Sequence, residues 1–209
     1  MHHTLIQIFA KPPQEGTVKT RLIPDIGVES ATAIYRHCLK SNLNMLQQGG
    51  FEYQIWLTEH SDHALFAQQD IQLQQGTGIG ERMYFALSTE LDRKPSSYYQ
   101  NVILIGSDCL DITAKILQRV IMKLQHHDVV FIPALDGGYV LVAARNEIDA
   151  RLFQSIDWST EKVLRQSLHI AMDQGISTAV LNPLRDIDRL QDVKHYAELT
   201  PLLNFNSSQ

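Results

Sequence analysis

The stretch NVILIG, residues 101–106, constrains the fold more than any other. Positions 102–105 are all apolar and three of them are β-branched, so no face of this strand is left for water. Strands of that kind belong to sheets covered on both sides by helices, and such sheets are mostly parallel. LIQIFA at 5–10, EYQIWLT at 52–58, DVVFIPA at 128–134 and YVLVAA at 139–144 read as further strands. Helical segments separate them. Residues 29–48 place Ala33, Tyr35, Leu39, Leu43 and Leu46 near one helical face, and Gly49-Gly50 ends the run. A second helix over 81–91 begins just after GTGIG. Asp111 is placed to cap a helix over 112–125, and Ser159 or Thr160 one over 161–174 with Gly175 just past its end. A helix over 190–199 stops before Pro201. A short helix over 63–68, a short strand over 71–73 and a last strand in TAVLN at 178–182 complete the order. Alternation of strands and helices predicts βαβ units, and hence a three-layer α/β/α sandwich around a mostly parallel sheet. The length of 209 residues, with no repeat or linker, predicts one domain with a frayed tail over 202–209.

Composition removes several classes of function. A net charge of -5 argues against a nucleic-acid partner, which calls for a basic surplus. The first 22 residues are nonetheless locally basic, with Lys11, Lys19 and Arg21 against Glu15. Cys38 and Cys109 are too few and too isolated for a disulfide framework or a zinc signature, which predicts a reducing, cytoplasmic setting. No apolar run approaches the roughly 20 residues that span a bilayer, and no basic leader precedes the first strand, so neither membrane insertion nor a secretion signal is expected.

In an open α/β sheet, ligands collect beyond the carboxyl ends of the strands, so the residues there carry the functional reading. AKPPQEGTVKTRL, from Ala10 to Leu22, follows the first strand. Pro12 and Pro13 stiffen its exit, and Gly16 permits a turn and close approach to a ligand. Lys19 and Arg21, one residue apart, point the same way if the segment is extended. Together they suit a diphosphate, Lys as a point charge and Arg as a bidentate fork; otherwise they are two solvated surface cations. The loop is neither a Walker A motif nor a dinucleotide fingerprint. Asp108 emerges at GSD from a low-dielectric strand, where a bound cation would offset the cost of its charge, and Mg²⁺ suits one or two carboxylates plus phosphate oxygens. Asp136-Gly137-Gly138-Tyr139 reads as a hairpin turn or as a place where backbone meets ligand. Asp186 and Asp188 share a face if extended; one could complete a metal site, and Asp188 could equally cap the last helix. Trp158-Ser159-Thr160 reads as a helix start or as part of an acceptor pocket. Cys109, beside Asp108, reads as a packed thiol rather than a nucleophile.

FAKPPQEGTVKTRL, GTGIGERM, LIGSDC, PALDGGY, DWST and DIDRLQDV occur in that order between Phe9 and Val193. As a set they resemble the glycosyltransferase-like family of the nucleotide-diphospho-sugar transferase superfamily, of GT-A fold. Its relatives include the molybdenum-cofactor and phospholactate guanylyltransferases, and some members are tied to arsenosugar biosynthesis. The resemblance implies that Ala10, Lys11, Gly16, Lys19, Arg21, Gly80 and Arg82 hold the nucleotide. It implies that Asp108 and Asp188, or Asp186, hold Mg²⁺ or Mn²⁺, and that Lys19, Arg21 and Asp108 act in catalysis. Asp136, Gly137, Gly138, Tyr139, Trp158, Ser159 and Thr160 would line the side of a small-molecule acceptor. One departure is Leu110, where the family pattern has proline after the GSDC cysteine. Three readings of function follow: glycosyl transfer from a nucleotide sugar, nucleotidyl transfer from a nucleoside triphosphate to a phosphorylated acceptor, and nucleotide binding without catalysis.

Overall fold

The computed structural model describes residues 3–91 and 98–203. The strands are β1 (Thr4–Ala10), β2 (Glu52–Leu57), β3 (Ile71–Leu73), β4 (Asn101–Gly106), β5 (Val129–Pro133), β6 (Tyr139–Arg145) and β7 (Thr178–Val180). They form one seven-stranded sheet in the order β3-β2-β1-β4-β6-β5-β7. Only β6 runs antiparallel to its neighbours, pairing with β4 and β5; the remaining pairs are parallel. The β5–β6 connection is thus the hairpin that Asp136-Gly137 suggested. Strand order reverses between β1 and β4, which puts the crevice of the sheet at the carboxyl ends of those two strands.

Alternation along the strands sends side chains to two cores. Ile6, Ile8, Ile103, Ile105, Val130 and Ile132 pack on one face with Leu39, Leu43 and Leu46 of α1 (Ile23–Gln48) and Leu117 and Val120 of α3 (Ala114–Lys123). Leu5, Trp56, Leu104, Phe131 and Val142 face the other way, toward Met83, Ala86 and Leu87 of α2 (Ile79–Leu91) and Ala171 of α4 (Val163–Asp173). These are the three expected layers, and β4 lies at the centre with both faces covered.

The helix ends correct several expectations. α1 begins at Ile23 rather than at 29, because Pro24 suits a first turn, and Gly27 at φ 80° then kinks it. Thr113, not Asp111, caps α3: its hydroxyl accepts from the Ile116 amide at 3.3 Å. α4 starts at Val163 with no side-chain cap. Ser159 instead adopts a positive φ of 63°, and the Thr160 hydroxyl donates to the Asp157 carbonyl, so residues 157–162 form turns. The expected last helix shortens to α5 (Leu190–Val193), followed by a 3₁₀ turn at Ala197–Leu202 that contains Pro201. Most of the tail lies outside the described residues.

A third core joins the two ends of the chain. Leu22, Ile26, Ile34 and Cys38 pack with Ile187, Val193 and Leu199. Ile187 has no exposed surface, and its amide donates to the Asp108 carbonyl at 3.1 Å. Replacing it with alanine removes a packed side chain, so Ile187→Ala is expected to lower unfolding stability by about 2–5 kcal/mol in urea titration. Val180→Ala, on the exposed edge strand, is expected to change it by less than about 0.5 kcal/mol.

Candidate active site

The segment after β1 does not run extended, as the Lys19/Arg21 spacing suggested. It folds into consecutive turns, with the Thr17 amide on the Gln14 carbonyl and the Leu22 amide on the Lys19 carbonyl. Gly16 takes φ 78° and Lys19 itself φ 48°, a left-handed conformation uncommon for a side-chain-bearing residue. The two cations converge all the same. Lys19 Nζ lies 2.6 Å from Asp108 Oδ2 and 3.5 Å from Asp188 Oδ1, and Arg21 Nη1 lies 2.5 Å from Asp188 Oδ2. The Lys19 side chain is only 5% exposed. Burial works against its charge, but the charge and hydrogen bond of Asp108, with the charge of Asp188, outweigh burial and hold the ammonium above its ordinary pKa.

Asp188 is free to meet these cations because Asp192 caps α5 in its stead. The Asp192 carboxylate accepts from the amides of Asp188 and Arg189 and pairs with Arg185 at 2.8 Å. Asp186 stands apart from this pairing. Burial, then the negative charges of Asp108 and Asp136, raise its carboxyl to about 6.

These groups border a cavity of about 350 Å³, lined by Ala10, Lys11, Lys19, Arg21, Arg82, Asp108 and Asp188 among others. Gly16 and Gly80 lie outside its wall. Gly80 packs instead beneath Trp158: an added Cβ would stand 2.6 Å from the indole ring. Arg82 is braced by its Nε on the Gly76 carbonyl at 3.1 Å, and Glu81 holds the same loop by accepting from the amide and hydroxyl of Thr77.

A second cavity of about 260 Å³ adjoins the first, and Phe9, Ile79 and Gly106 line both. Asp136, Gly138, Tyr139, Trp158, Ser159 and Thr160, six of the seven positions assigned to an acceptor, line it. Gly137 does not; its φ of 94° brings the hairpin so close to Glu161 that a Cβ would stand 2.4 Å from the Glu161 carbonyl oxygen.

Two further participants carried no sequence signal. The Tyr35 hydroxyl accepts from the Lys11 amide at 2.7 Å, donates to the Lys11 carbonyl at 3.0 Å, and lies 3.3 Å from the Ser107 hydroxyl. It looked like one more apolar-face residue of α1; only its phenolic oxygen, which seeks a partner when buried, hinted otherwise. Gln74 Nε2 donates to the carbonyls of Ala10 and Trp56, bridging the ends of β1 and β2.

Among the described residues, no group of three or more histidine, cysteine, aspartate or glutamate side chains is arranged to hold a metal ion. Asp108 and Asp188, the two carboxylates expected to hold Mg²⁺, border the same cavity but are engaged by cations here, Asp108 by Lys19 and Asp188 by Lys19 and Arg21.

The family model described as "Uncharacterized protein conserved in bacteria (DUF2064)" matches residues 42–160. A comparison with curated proteins finds no match. Among solved structures, a presumed nucleotide-diphospho-sugar transferase from Desulfovibrio desulfuricans G20 is 29% identical, with a TM-score of 0.85 over 100% of this chain and 90% of that one. The 4-diphosphocytidyl-2C-methyl-D-erythritol synthase of Anaerococcus prevotii DSM 20548 shares the fold at 10% identity and a TM-score of 0.57, covering 93% of this chain and 96% of that one. The inositol-1-phosphate CTP transferase of T. maritima does so at 11% identity and 0.52, covering 97% and 95%.

Cys38 and Cys109 are both fully buried, and burial pushes each thiol up to about 12. The native protein is therefore expected to resist iodoacetamide at neutral pH. Mass spectrometry should find both thiols labelled only after denaturation; rapid labelling of native Cys109 would restore it as a nucleophile candidate.

Proposed function

Because the chain belongs to the DUF2064 family and gathers Lys19, Arg21, Asp108 and Asp188 around one cavity, we propose that it is a transferase acting on a nucleotide-activated donor. A glycosyltransferase using a nucleotide sugar is the form that fits best. The observation that carries this reading is the convergence of two cations from the β1 loop on carboxylates 89 and 169 residues away in the chain, at the switch point of the sheet. The similarity of the whole chain to a presumed nucleotide-diphospho-sugar transferase adds weight.

In this reading the donor's diphosphate lies against Lys19 and Arg21, with Arg82 also in the cavity lining. Mg²⁺ or Mn²⁺, held by Asp108 and Asp188, would supply further neutralisation of the diphosphate. The acceptor approaches from the second cavity, between Asp136 and Trp158. Its hydroxyl oxygen bonds to the anomeric carbon as the bond from that carbon to the diphosphate oxygen breaks. The nucleoside diphosphate leaves with that electron pair, and the hydroxyl proton passes to water or a nearby carboxylate. Preorganised cations stabilise the charge that builds on the leaving oxygen. Lys19 must loosen from Asp108 to take this part. Its Coulombic partners are then exchanged rather than lost, since phosphate oxygens replace the carboxylate.

Nucleotidyl transfer is the second reading. It is favoured by the fold shared with a CTP transferase and a diphosphocytidyl synthase, whose names describe that chemistry. Two buried thiols suit a reducing compartment such as the cytoplasm under either reading.

A calorimetric titration tests the donor site. Lys19→Ala with Arg21→Ala is expected to weaken binding of a nucleoside diphosphate by about tenfold or more while leaving the nucleoside nearly unchanged; equal losses would mark a fold defect. Asp108→Asn is expected to abolish most of the Mg²⁺ dependence of nucleotide binding, and an unaltered dependence would remove Asp108 from the metal role. Labelled products separate the two reactions: sugar on the acceptor with nucleoside diphosphate released supports the first, and nucleotide on the acceptor with pyrophosphate released supports the second.

A further inference from the structure

The two adjoining cavities differ sharply in chemistry. Lys19, Arg21 and Arg82 line the first, whereas among the described residues no lysine, arginine or histidine lines the second. Phe9, Met83, Leu104, Tyr139 and Trp158 are among its apolar and aromatic lining, and among the described residues Asp136 is the one charged residue there. Its volume of about 260 Å³ is roughly that of nine waters in the liquid, enough for a single ring with a short substituent. The aromatic wall is held rigidly. Trp158 is wedged against Gly80, and it meets Tyr139 edge-on at 6.3 Å between ring centres. A wall fixed before binding loses little freedom when a ligand arrives.

The polar groups of its lining include Asp136, Ser159 and Thr160. Asp136 Oδ1 accepts from the Gly138 amide at 3.0 Å, and Asp136 is otherwise exposed, so its second carboxylate oxygen remains able to accept. The Thr160 hydroxyl is already engaged with Asp157 and Lys162. A phosphate monoester entering here would meet a carboxylate and no cation, and its charge would be desolvated against aromatic rings.

We infer that the second cavity selects an uncharged, hydroxyl-bearing acceptor with an apolar, ring-sized body, and rejects phosphorylated acceptors. This deepens the proposed function and rests on it. It also separates the two reactions, because nucleotidyl transfer to a phosphorylated acceptor would bring an anion to this wall. The ring lies against Trp158 and Tyr139, and its hydroxyl donates to Asp136 in the wall of the second cavity.

Benzyl alcohol and benzyl phosphate are a matched pair of probes. The indole ¹⁵N resonance of Trp158 reports on the cavity, assigned with Trp158→Phe; the other tryptophan, Trp56, is buried in the core. At about pH 8 the phosphate is a dianion. Benzyl alcohol is expected to shift the Trp158 signal saturably, with benzyl phosphate about tenfold or more weaker. Asp136→Lys, at an exposed position that leaves the core intact, is expected to remove or reverse that preference, weakening the alcohol through loss of its acceptor while strengthening the phosphate. Benzyl phosphate binding as well as the alcohol to the wild type, or no Trp158 response to the alcohol, overturns the inference. A parallel titration with UDP and GDP, read at the amides of residues 11–22, separates the two failures. Diphosphate binding with the wrong probe preference sinks the acceptor inference alone, while no diphosphate response overturns the donor site and the acceptor role with it.

Discussion

A buried ammonium governs the architecture of this site. Lys19 enters from the β1 loop and ends between two carboxylates supplied by the end of β4 and the segment before α5. Burial alone would drive its proton off, and burial alone would make either carboxylate costly. Together the charges stabilise one another, but only where all three segments reach the same place. The backbone is bent to allow it: Lys19 sits at φ 48°, and the Tyr35 hydroxyl holds the entry of the same loop through both the amide and the carbonyl of Lys11. The third hydrophobic core supplies the remaining constraint. With Ile187 sealed against Leu22 and Ile34, its neighbour Asp188 stands beside Lys19 and Arg21.

The same arrangement accounts for the division of labour across the rim. Positive side chains gather at the ends of β1 and the start of α2, over the reversal point of the sheet. Acidic groups extend from there toward the β5–β6 hairpin, where Asp136 stands. Phe9, Ile79 and Gly106 form the shared boundary. A donor held by its phosphates on one side and an acceptor held by its apolar body on the other would meet over that boundary. In the proposed function, charge would sort the two substrates across this boundary.

Much of the fold was legible in the sequence, because strand-length apolar runs such as VILI at 102–105 permit few environments. The hairpin at Asp136-Gly137 was legible for a local reason as well. Helix ends were less so. Asp111 and Thr113 are both competent caps, and only the path of the chain decides between them; Asp192, rather than a residue at the α5 cap itself, satisfies the amides there. The residues of the site were named from position after each strand, yet the reason they converge was misread. An extended Lys-Thr-Arg would have aligned the cations by alternation, whereas turns and a left-handed Lys19 do so instead. Tyr35 escaped notice because a helical apolar face gives no sign of what a phenolic oxygen at its edge will meet.

The long-range closure of the third core has a consequence for biosynthesis. Lys19 must wait for a carboxylate 89 residues later, then for another 169 residues later, before its charge is fully matched. The first closure follows from the pairing of β1 with β4, and the second from the packing of Ile187, Val193 and Leu199 against Leu22 and Ile34. On the ribosome, the sheet through β6 can therefore assemble while the pocket around Lys19 is still open on one side. A nascent chain gains a finished pocket only after residue 199 has emerged, so an incomplete translation product would hold most of the fold and lack the feature that makes it useful.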